Sequence, residues 1–276
     1  MGIYHYLPVP IQGEKSTQAT WAREPSGHAI IFVHGFGGKA ITTWNDFISQ
    51  MPQRAKCAGC DLIFYGYDGK NTRSTNSAIK LRDFLQKLFE TPLGAINWSL
   101  PVEDARPEPF EYKRITLIAH SLGAIICRDA LLQAYKMSYD WAPLTELILF
   151  APAHRGADIF KLLRQAYPIA WPVVMMLSLV QIFNRFVVLQ DLEPDCLTLT
   201  TLREETLEFL SNNTANTVPT LVARKVILAE YDNIVSPAQF ISQDPESTQF
   251  YGKNHISVCK PDKTWDRPVT EVLRVI

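Results

Sequence analysis

The sequence predicts a single α/β domain in which a mainly parallel β-sheet is covered by helices. The chain has 276 residues, a length at which one hydrophobic core commonly forms one domain. Apolar segments of strand length alternate with segments of helical periodicity, which is the order of βαβ units with right-handed crossovers. The apolar segments contain few polar residues, and this pattern indicates strands buried on both faces. No internal repeat or long linker divides the chain, so we expect one domain over residues 1–276.

The predicted strands and helices follow one another along the chain. Strands are expected at residues 29–33, 62–67, 115–119, 147–150 and 221–229. Helices are expected at residues 43–51, 76–89, 122–136 and 197–211. The second of these helices carries an apolar stripe made of Ile79, Leu81, Phe84, Leu85, Leu88 and Phe89. Ligands of such sheets bind beyond the carboxyl ends of the strands, so residues that directly follow a strand are the candidates for a functional site.

Composition and charge exclude several classes of protein. Hydrophobic residues make up 47% of the chain, charged residues make up 20%, and the formal net charge is -1 with Lys and Arg scattered. This distribution is unlike the basic stripe of a nucleic-acid-binding protein, so we expect no nucleic-acid partner. The N-terminus has neither a basic region nor a long apolar segment, so we expect no secretory signal. Together with an odd number of cysteines, five, this predicts reduced thiols in a cytoplasmic protein.

Two of these cysteines, Cys57 and Cys60, form a C-x-x-C pair that we interpret as two incidental thiols. The pair precedes a predicted strand, whereas a redox pair of this spacing opens a helix after a strand. A second pair that could complete a zinc site is missing from the sequence.

The strand expected at residues 115–119 leads into Ala-His-Ser-Leu-Gly-Ala at 119–124 and then into a helix. This is the G-x-S-x-G nucleophile elbow, with Ala119 in place of the first glycine. The sharp turn requires small residues two positions before and after the serine, because side chains there nearly collide. The strand before the motif and the helix after it favour Ser121 as a nucleophile over Ser121 as a helix cap.

The first predicted strand is followed by His-Gly-Phe-Gly-Gly at residues 34–38. The segment lacks the Lys-Ser/Thr of a phosphate-binding P-loop and the G-x-G-x-x-G spacing of dinucleotide sites. It fits the loop that supplies one donor of an oxyanion hole, and we assign the donors to the backbone N–H groups of Phe36 and Leu122. We interpret His34 as a residue that orients this loop, since a catalytic histidine follows the acid in chain order.

The acid and the base of a catalytic triad are expected later in the chain. Asp232 follows the strand at 221–229 and is the predicted acid, with Glu230 as the alternative. His255 is the only histidine after Asp232 and is the predicted base. His154 comes too early for this order, so a structural role is favoured and a place beside the acyl group is the alternative. The chain order Ser, Asp, His is that of the α/β-hydrolase fold, which we therefore predict.

Five motifs resemble the serine-active-site-containing lipases and esterases of the SERAC/PGAP1-like family. They are HGFGG at 34–38 with Thr43 and Trp44, YGYD at 65–68, AHSLGA at 119–124, FAPAHRGA at 150–157 and NHISVCKP at 254–261. In that family two of the motifs are closer to GHSLGG and FGTPHRGS, and this chain has alanine at positions 119, 124, 151, 153 and 157. The resemblance implies an ester or lipid hydrolase, or an acyltransferase acting on phospholipid.

A helical cap is expected as an insertion near residues 158–212. Its centre, residues 167–189, is apolar and carries no charge before Arg185. A transmembrane helix would need about 20 apolar residues, and Pro168, Pro172, Gln181 and Asn184 interrupt the run. Two interpretations of this segment remain, a buried core helix and a cap over the active site. The cap is favoured, because the apolar side chains of the segment would match apolar acyl chains. A cap with one apolar face can also contact a bilayer peripherally.

The predicted function is hydrolysis of carboxylic esters with an apolar or lipid-like acyl group, without a metal or organic cofactor. The candidates for substrate contact are His34, Gly35, His154, Trp171 and Met175. Three alternatives remain: acyl transfer with the same triad, a non-catalytic binding protein that kept the fold, and, with less support, a peptidase. The predicted partner is a small-molecule ester or lipid. The protein is expected in the cytoplasm, either free or associated with a membrane. The sequence leaves the oligomeric state open.

Overall fold

The computed structural model describes residues 9–11, 14–97, 99–100, 105–106, 108–174, 177–213 and 220–276. Within these residues the strands form one eight-stranded sheet in the order β1-β2-β4-β3-β5-β6-β7-β8. The strands are β1 (Val9–Ile11), β2 (Glu14–Thr20), β3 (His28–Val33), β4 (Asp61–Tyr65), β5 (Arg114–His120), β6 (Thr145–Phe150), β7 (Lys225–Ala229) and β8 (Thr248–Phe250). From β4 to β8 all neighbours pair in parallel, while β2 runs antiparallel to both β1 and β4. The predicted mainly parallel sheet is confirmed.

The helices connect the strands and cover the sheet. They are α1 (Phe47–Gln50), α2 (Ser74–Glu90), α3 (Pro92–Ile96), α4 (Leu122–Lys136), α5 (Ile159–Ala166), α6 (Trp171–Val174), α7 (Leu179–Arg185), α8 (Leu197–Asn212) and α9 (Arg267–Leu273). Helix α4 packs against both α2 and α8. Strands β3 and β4 are buried along their whole length, as expected for strands covered on both faces.

Two predicted elements differ from the structure. The helix expected at 43–51 is a series of turns followed by the single turn of α1, and Pro52 lies in the 3₁₀ turn that follows. The strand expected to begin at 221 begins at Lys225. Side chains form hydrogen bonds with the backbone at positions 221 and 223, before the strand begins. Arg128 donates to the carbonyl of Leu221, and Asp244 accepts from the amide of Ala223.

The turn between β5 and α4 has an uncommon backbone conformation. Ser121 has φ 55° and ψ −119°, a left-handed conformation that L-residues rarely adopt. Gly123, the second residue of α4, lies beside the end of β3, and a Cβ atom added to it would lie 2.3 Å from the carbonyl oxygen of Val33 and 2.6 Å from that of His34. Glycine is therefore required at position 123 because the helix passes close to the neighbouring strand. The atoms nearest to an added Cβ belong to residues 33 and 34, and not to position 119, where the sequence predicts the crowding.

Two buried histidines lie on either side of this turn. His34 follows β3 and His120 ends β5. Burial lowers the pKa of His34 from 6.5 to about 4, although hydrogen bonds with the backbone of Gly35 and Tyr67 partly oppose this shift. Burial, together with the charge of His255, lowers the pKa of His120 to about 3. Both rings are neutral at neutral pH, so each offers one N–H donor and one acceptor.

We predict that Gly123→Ala destabilises the protein by about 3 kcal/mol or more, because the new Cβ meets two backbone carbonyls that cannot rotate away. The measurement is the free energy of unfolding in urea. Gly94→Ala is the matched control, since position 94 in α3 has no atom within 4 Å of an added Cβ, and it should change stability by no more than about 1 kcal/mol. Equal stability of the two variants would contradict the close approach at position 123.

We also predict that His34 makes the protein less stable in acid. The unfolded chain binds a proton near pH 6.5 and the folded chain only near pH 4, so stability falls as the pH falls through this window. The loss reaches about 3 kcal/mol below pH 4 for this one histidine. His34→Asn should remove that part of the decrease, measured by urea unfolding between pH 7 and pH 4. Parallel stability profiles for the variant and the wild type would contradict the prediction.

Candidate active site

Three side chains from separate loops meet at the carboxyl end of the sheet. The Nε2 atom of His255 lies 2.9 Å from Oγ of Ser121, and its Nδ1 atom lies 2.9 Å from Oδ2 of Asp232. Because an ionised carboxylate can only accept, Nδ1 carries the proton and Nε2 accepts from the serine hydroxyl. Ser121 is 1% exposed and His255 is 2% exposed, so the chain of hydrogen bonds is shielded from bulk water.

Asp232 is held as an acceptor by the backbone as well as by His255. Its Oδ1 atom accepts from the amides of Ile234 at 3.0 Å and Val235 at 3.2 Å. Burial raises the pKa of Asp232, but the hydrogen bond and charge of His255 and these two amides outweigh burial, and the pKa lies below its usual value. The carboxylate is therefore ionised in the ordinary assay range. Glu230, the alternative acid, instead accepts from the amide of Gly252.

His120 contacts the site but was given no role in the sequence interpretation. Its Nε2 atom donates to the carbonyl oxygen of His255 at 2.8 Å, and the two rings are 4.9 Å apart. This contact ties the end of β5 to the loop that carries His255. A buried histidine directly before a candidate nucleophile needs a hydrogen-bond partner, and that requirement is the sequence signal for such a contact.

The loop after β3 approaches Ser121 closely. A Cβ atom at Gly35 would lie 2.8 Å from Cβ of Ser121, so only glycine allows this approach. In the described part of the chain, the amides of Phe36 and Leu122 donate to no other group. Both lie next to Ser121, one in the adjacent loop and the other at the start of α4. They are available as donors to a negatively charged oxygen.

His34 lies beneath this loop. Its Nδ1 atom donates to the carbonyl of Gly35 at 2.9 Å, and its ring stacks on Tyr67 with 4.3 Å between centroids. The Tyr67 hydroxyl in turn donates to the carbonyl of His34 at 2.6 Å. The side chain is buried against the loop backbone, and this position favours the orienting role over contact with a substrate.

Among the described residues, neither the side-chain hydrogen bond nor the ring contact of His154 involves Ser121 or His255. Its Nε2 atom accepts from Nε of Arg128 at 3.1 Å, and its ring lies 4.8 Å from Phe240. Burial, followed by the charges of Arg128 and Arg155, holds its pKa well below the usual value. A neutral ring that accepts from a buried guanidinium favours the structural role over contact with an acyl group.

The apolar stretch 167–189 contains two short helices, α6 and α7, and Ser178 begins the second as an N-cap with a capping box. Ile169 is 96% exposed and Val180 is 68% exposed, whereas Ile182 and Leu189 are buried, so the described part of the stretch is not one uniformly buried helix. Among the described residues, none of the helices has the length and apolarity needed to cross a bilayer. Trp171 lines a cavity of about 600 Å³ whose described walls include Asn233 but not the three triad side chains. Met175 lies outside the described residues.

The cysteine pair lies at the opposite end of the sheet, before the start of β4. The Sγ atom of Cys60 is 3.5 Å from Nδ1 of His28. A hydrogen bond from Cys57 lowers the pKa of the Cys60 thiol, with burial opposing it.

Neither protein-family models nor curated proteins match this sequence. The SERAC/PGAP1-like assignment therefore stays a prediction.

Solved structures are similar to this chain over nearly its whole length. The lipase BlEst2 of Bacillus licheniformis in its propeptide form has 14% sequence identity and a TM-score of 0.51, and the match covers 100% of this chain and 54% of the lipase. A carboxylesterase of the thaumarchaeon Nitrososphaera gargenis has 14% identity, a TM-score of 0.50 and coverage of 97% of this chain and 96% of its own. The type II thioesterase YbtT of yersiniabactin biosynthesis has 14% identity, a TM-score of 0.50 and coverage of 100% and 97%. At such identities the likeness concerns the fold, and the chain has the α/β-hydrolase fold.

Proposed function

We propose that this protein is a serine hydrolase that cleaves carboxylic esters, with Ser121 as nucleophile, His255 as base and Asp232 as the orienting acid. The observation that carries the proposal is the unbroken chain of hydrogen bonds from Ser121 to Asp232 through both nitrogens of His255. The chain begins at a serine in the strained conformation of a strand-to-helix turn, which places its side chain beyond the end of β5.

Acylation follows from this arrangement. His255 takes the proton of Ser121 as Oγ attacks the carbonyl carbon of the ester, and Asp232 stabilises the charged imidazole. The amides of Phe36 and Leu122 donate hydrogen bonds to the negatively charged oxygen that forms from the carbonyl, and one such donor typically lowers the barrier by about 3 kcal/mol. His255 then gives its proton to the leaving alcohol, and the acyl group remains on Oγ.

Deacylation repeats the same steps with water. His255 removes a proton from water as its oxygen attacks the acyl carbon, and it returns that proton to Oγ of Ser121 as the acid leaves. One ester and one water give one acid and one alcohol. Each proton is transferred through Nε2 of His255, so the proposed steps require neither a metal nor an organic cofactor.

A cap over the oxyanion loop supports an apolar substrate. Phe36 of the loop meets Tyr167 and Phe186 edge to face, with centroids 6.4 Å and 5.8 Å apart. We propose that the cap consists of residues 158–192 with α5, α6 and α7. The sequence predicts a cap that also includes α8, at residues 158–212; because α8 packs on α4 as well as on residues 187–192, we propose that it belongs to the layer that flanks the sheet.

The outer surface of the cap supports peripheral contact with a lipid surface. Ile169 and Val180 are exposed apolar side chains, 96% and 68% accessible, and Lys161 and Arg164 lie on the neighbouring helix α5. Apolar side chains next to cations are the features with which a surface segment binds an anionic bilayer. A lipid-like ester would be reached from that surface.

We predict that Ser121→Ala and His255→Ala each lower kcat for p-nitrophenyl butyrate by about 10⁶-fold, because the triad acts as a unit. Asp232→Asn should cost about 10⁴-fold, since the variant cannot hold the imidazole in the required tautomer. The measurements are steady-state hydrolysis and labelling by a fluorophosphonate probe, which only an activated serine attacks. Thermal unfolding checks that each variant is folded.

Ser242→Ala and His154→Asn are the controls. Ser242 is exposed and bonded to Gln243, so its replacement should leave both rate and labelling unchanged. His154→Asn should affect stability more than rate, because His154 bonds to Arg128. The triad assignment would be contradicted if Ser121→Ala kept more than a few per cent of the wild-type rate. It would also be contradicted if the His154 variant were inactive while His255→Ala remained active.

A further inference from the structure

A cavity of about 220 Å³ opens beside the candidate reaction centre. Its walls include the loop from Gly35 to Gly38, His120 and Ile256. Phe36 is the proposed oxyanion donor, His120 precedes the nucleophile and Ile256 follows the base. A group bound here would therefore lie on the oxyanion side of a substrate attacked by Ser121.

The charged residues that line this cavity are both cations, Lys39 and Lys260. Lys39 is exposed and Lys260 is half-buried. The charge of Lys260 reaches the site, since it contributes to the lowered pKa of the His120 ring. In the described part of the chain neither ammonium group has a carboxylate within 4 Å, and carboxylates are also missing from the walls of the cavity.

Polar groups line the same walls. The hydroxyl oxygen of Thr43 accepts from the amide of Lys39 at 2.9 Å, so its proton remains available for a ligand. The amide oxygen of Gln165, at the end of α5, is buried and makes no hydrogen bond within the described residues. As an acceptor, this oxygen requires a donor such as a hydroxyl group of the ligand, so it does not itself favour an anion, whereas the two ammonium groups and the Thr43 hydroxyl can donate to one.

We infer that this cavity binds an anionic group of the substrate, so that the preferred esters carry a carboxylate or a phosphate close to the scissile carbonyl. The inference rests on the proposed function and specifies its substrate class. Two cations that face one cavity without a carboxylate repel each other, and a bound anion relieves this repulsion. Lys260 contributes more than Lys39, because a half-buried charge is screened less by water and salt.

The test compares matched pairs of esters that differ in one anionic group. The first pair is mono-p-nitrophenyl succinate and p-nitrophenyl butyrate, with the anion on the acyl side. The second pair is 1-butyryl-glycerol 3-phosphate and 1-butyryl-glycerol, with the anion on the alcohol side. The quantity measured is the ratio of kcat/KM for the anionic ester to that for the neutral ester, at low ionic strength.

We expect this ratio to exceed one in at least one pair and to fall by about ten-fold in Lys260→Gln, the loss typical of a charge-assisted contact. Lys39→Gln should lower the ratio by about two- to five-fold, as for an exposed ion pair. The ratio should also fall as salt is added. Lys80→Gln is the matched control, because Lys80 is an exposed lysine of α2 that does not line the cavity, and its ratio should equal that of the wild type.

The pair with the higher ratio identifies the side of the ester that carries the anion. A ratio of one or less in both pairs, or a ratio that Lys260→Gln leaves unchanged, would overturn the anion site while leaving ester hydrolysis in place. Failure of the proposed function is distinguishable, since it would show as p-nitrophenyl butyrate hydrolysis that persists in Ser121→Ala.

Discussion

The left-handed backbone at Ser121 is the constraint on which the rest of the site depends. A residue at φ 55° and ψ −119° is less favourable than an ordinary turn by about 1–3 kcal/mol, so the surrounding structure has to hold it. The amide of Ser121 donates to the carbonyl of Phe150 at 3.0 Å, and the Ser121 carbonyl accepts from Ala153 at 3.3 Å. The turn is thus fixed from the side of β6, while the close approach of Gly123 to β3 fixes it from the other side.

The same side of the sheet is held together by buried charge. Arg128 of α4 is paired with Asp244 at 2.6 Å, and both side chains are almost fully buried. Asp244 also accepts from Ala223 ahead of β7, and Arg128 bonds to Leu221 and His154. The ion pair therefore links the helix that follows the nucleophile to the segments before and after β7. Removing one partner would leave an uncompensated buried charge, typically at a cost of about 3–5 kcal/mol.

The two sides of the candidate site differ in polarity, and this difference constrains what can be bound. Aromatic side chains of the proposed cap pack on Phe36, whereas lysines line the cavity that Phe36 shares with His120. An ester with an apolar part and an anionic part satisfies both surfaces, since apolar area gains from burial and the anion meets unpaired cations. Esters that are neutral throughout would leave the lysines without a partner. The proposed apolar cap and the proposed anion site can thus be occupied by one substrate.

The sequence by itself determined the elements whose pattern is local. The bounds of the apolar strands β3 to β6 and of the helix α4 were predicted within a few residues. Burial on both faces and helical periodicity can each be recognised from the residue types of one short segment. The strands β1, β2 and β8 were missed, because β1 and β8 have three residues each and β2 is a polar segment that is stabilised by pairing with the distant strand β4. Chain order was also enough to select Ser121, Asp232 and His255 as a set.

Only the tertiary structure decided the relations between residues that are far apart in the chain. Lys39 and Lys260 line one cavity with Gln165, and no spacing in the sequence relates them. The contact of His120 with His255, and the pairing of Arg128 with Asp244, likewise depend on how loops from separate strands converge. Local propensity acts over a few residues, whereas distances between side chains are set by packing of the whole sheet. The sequence therefore determined which groups are available, and the packed sheet decided which of them meet.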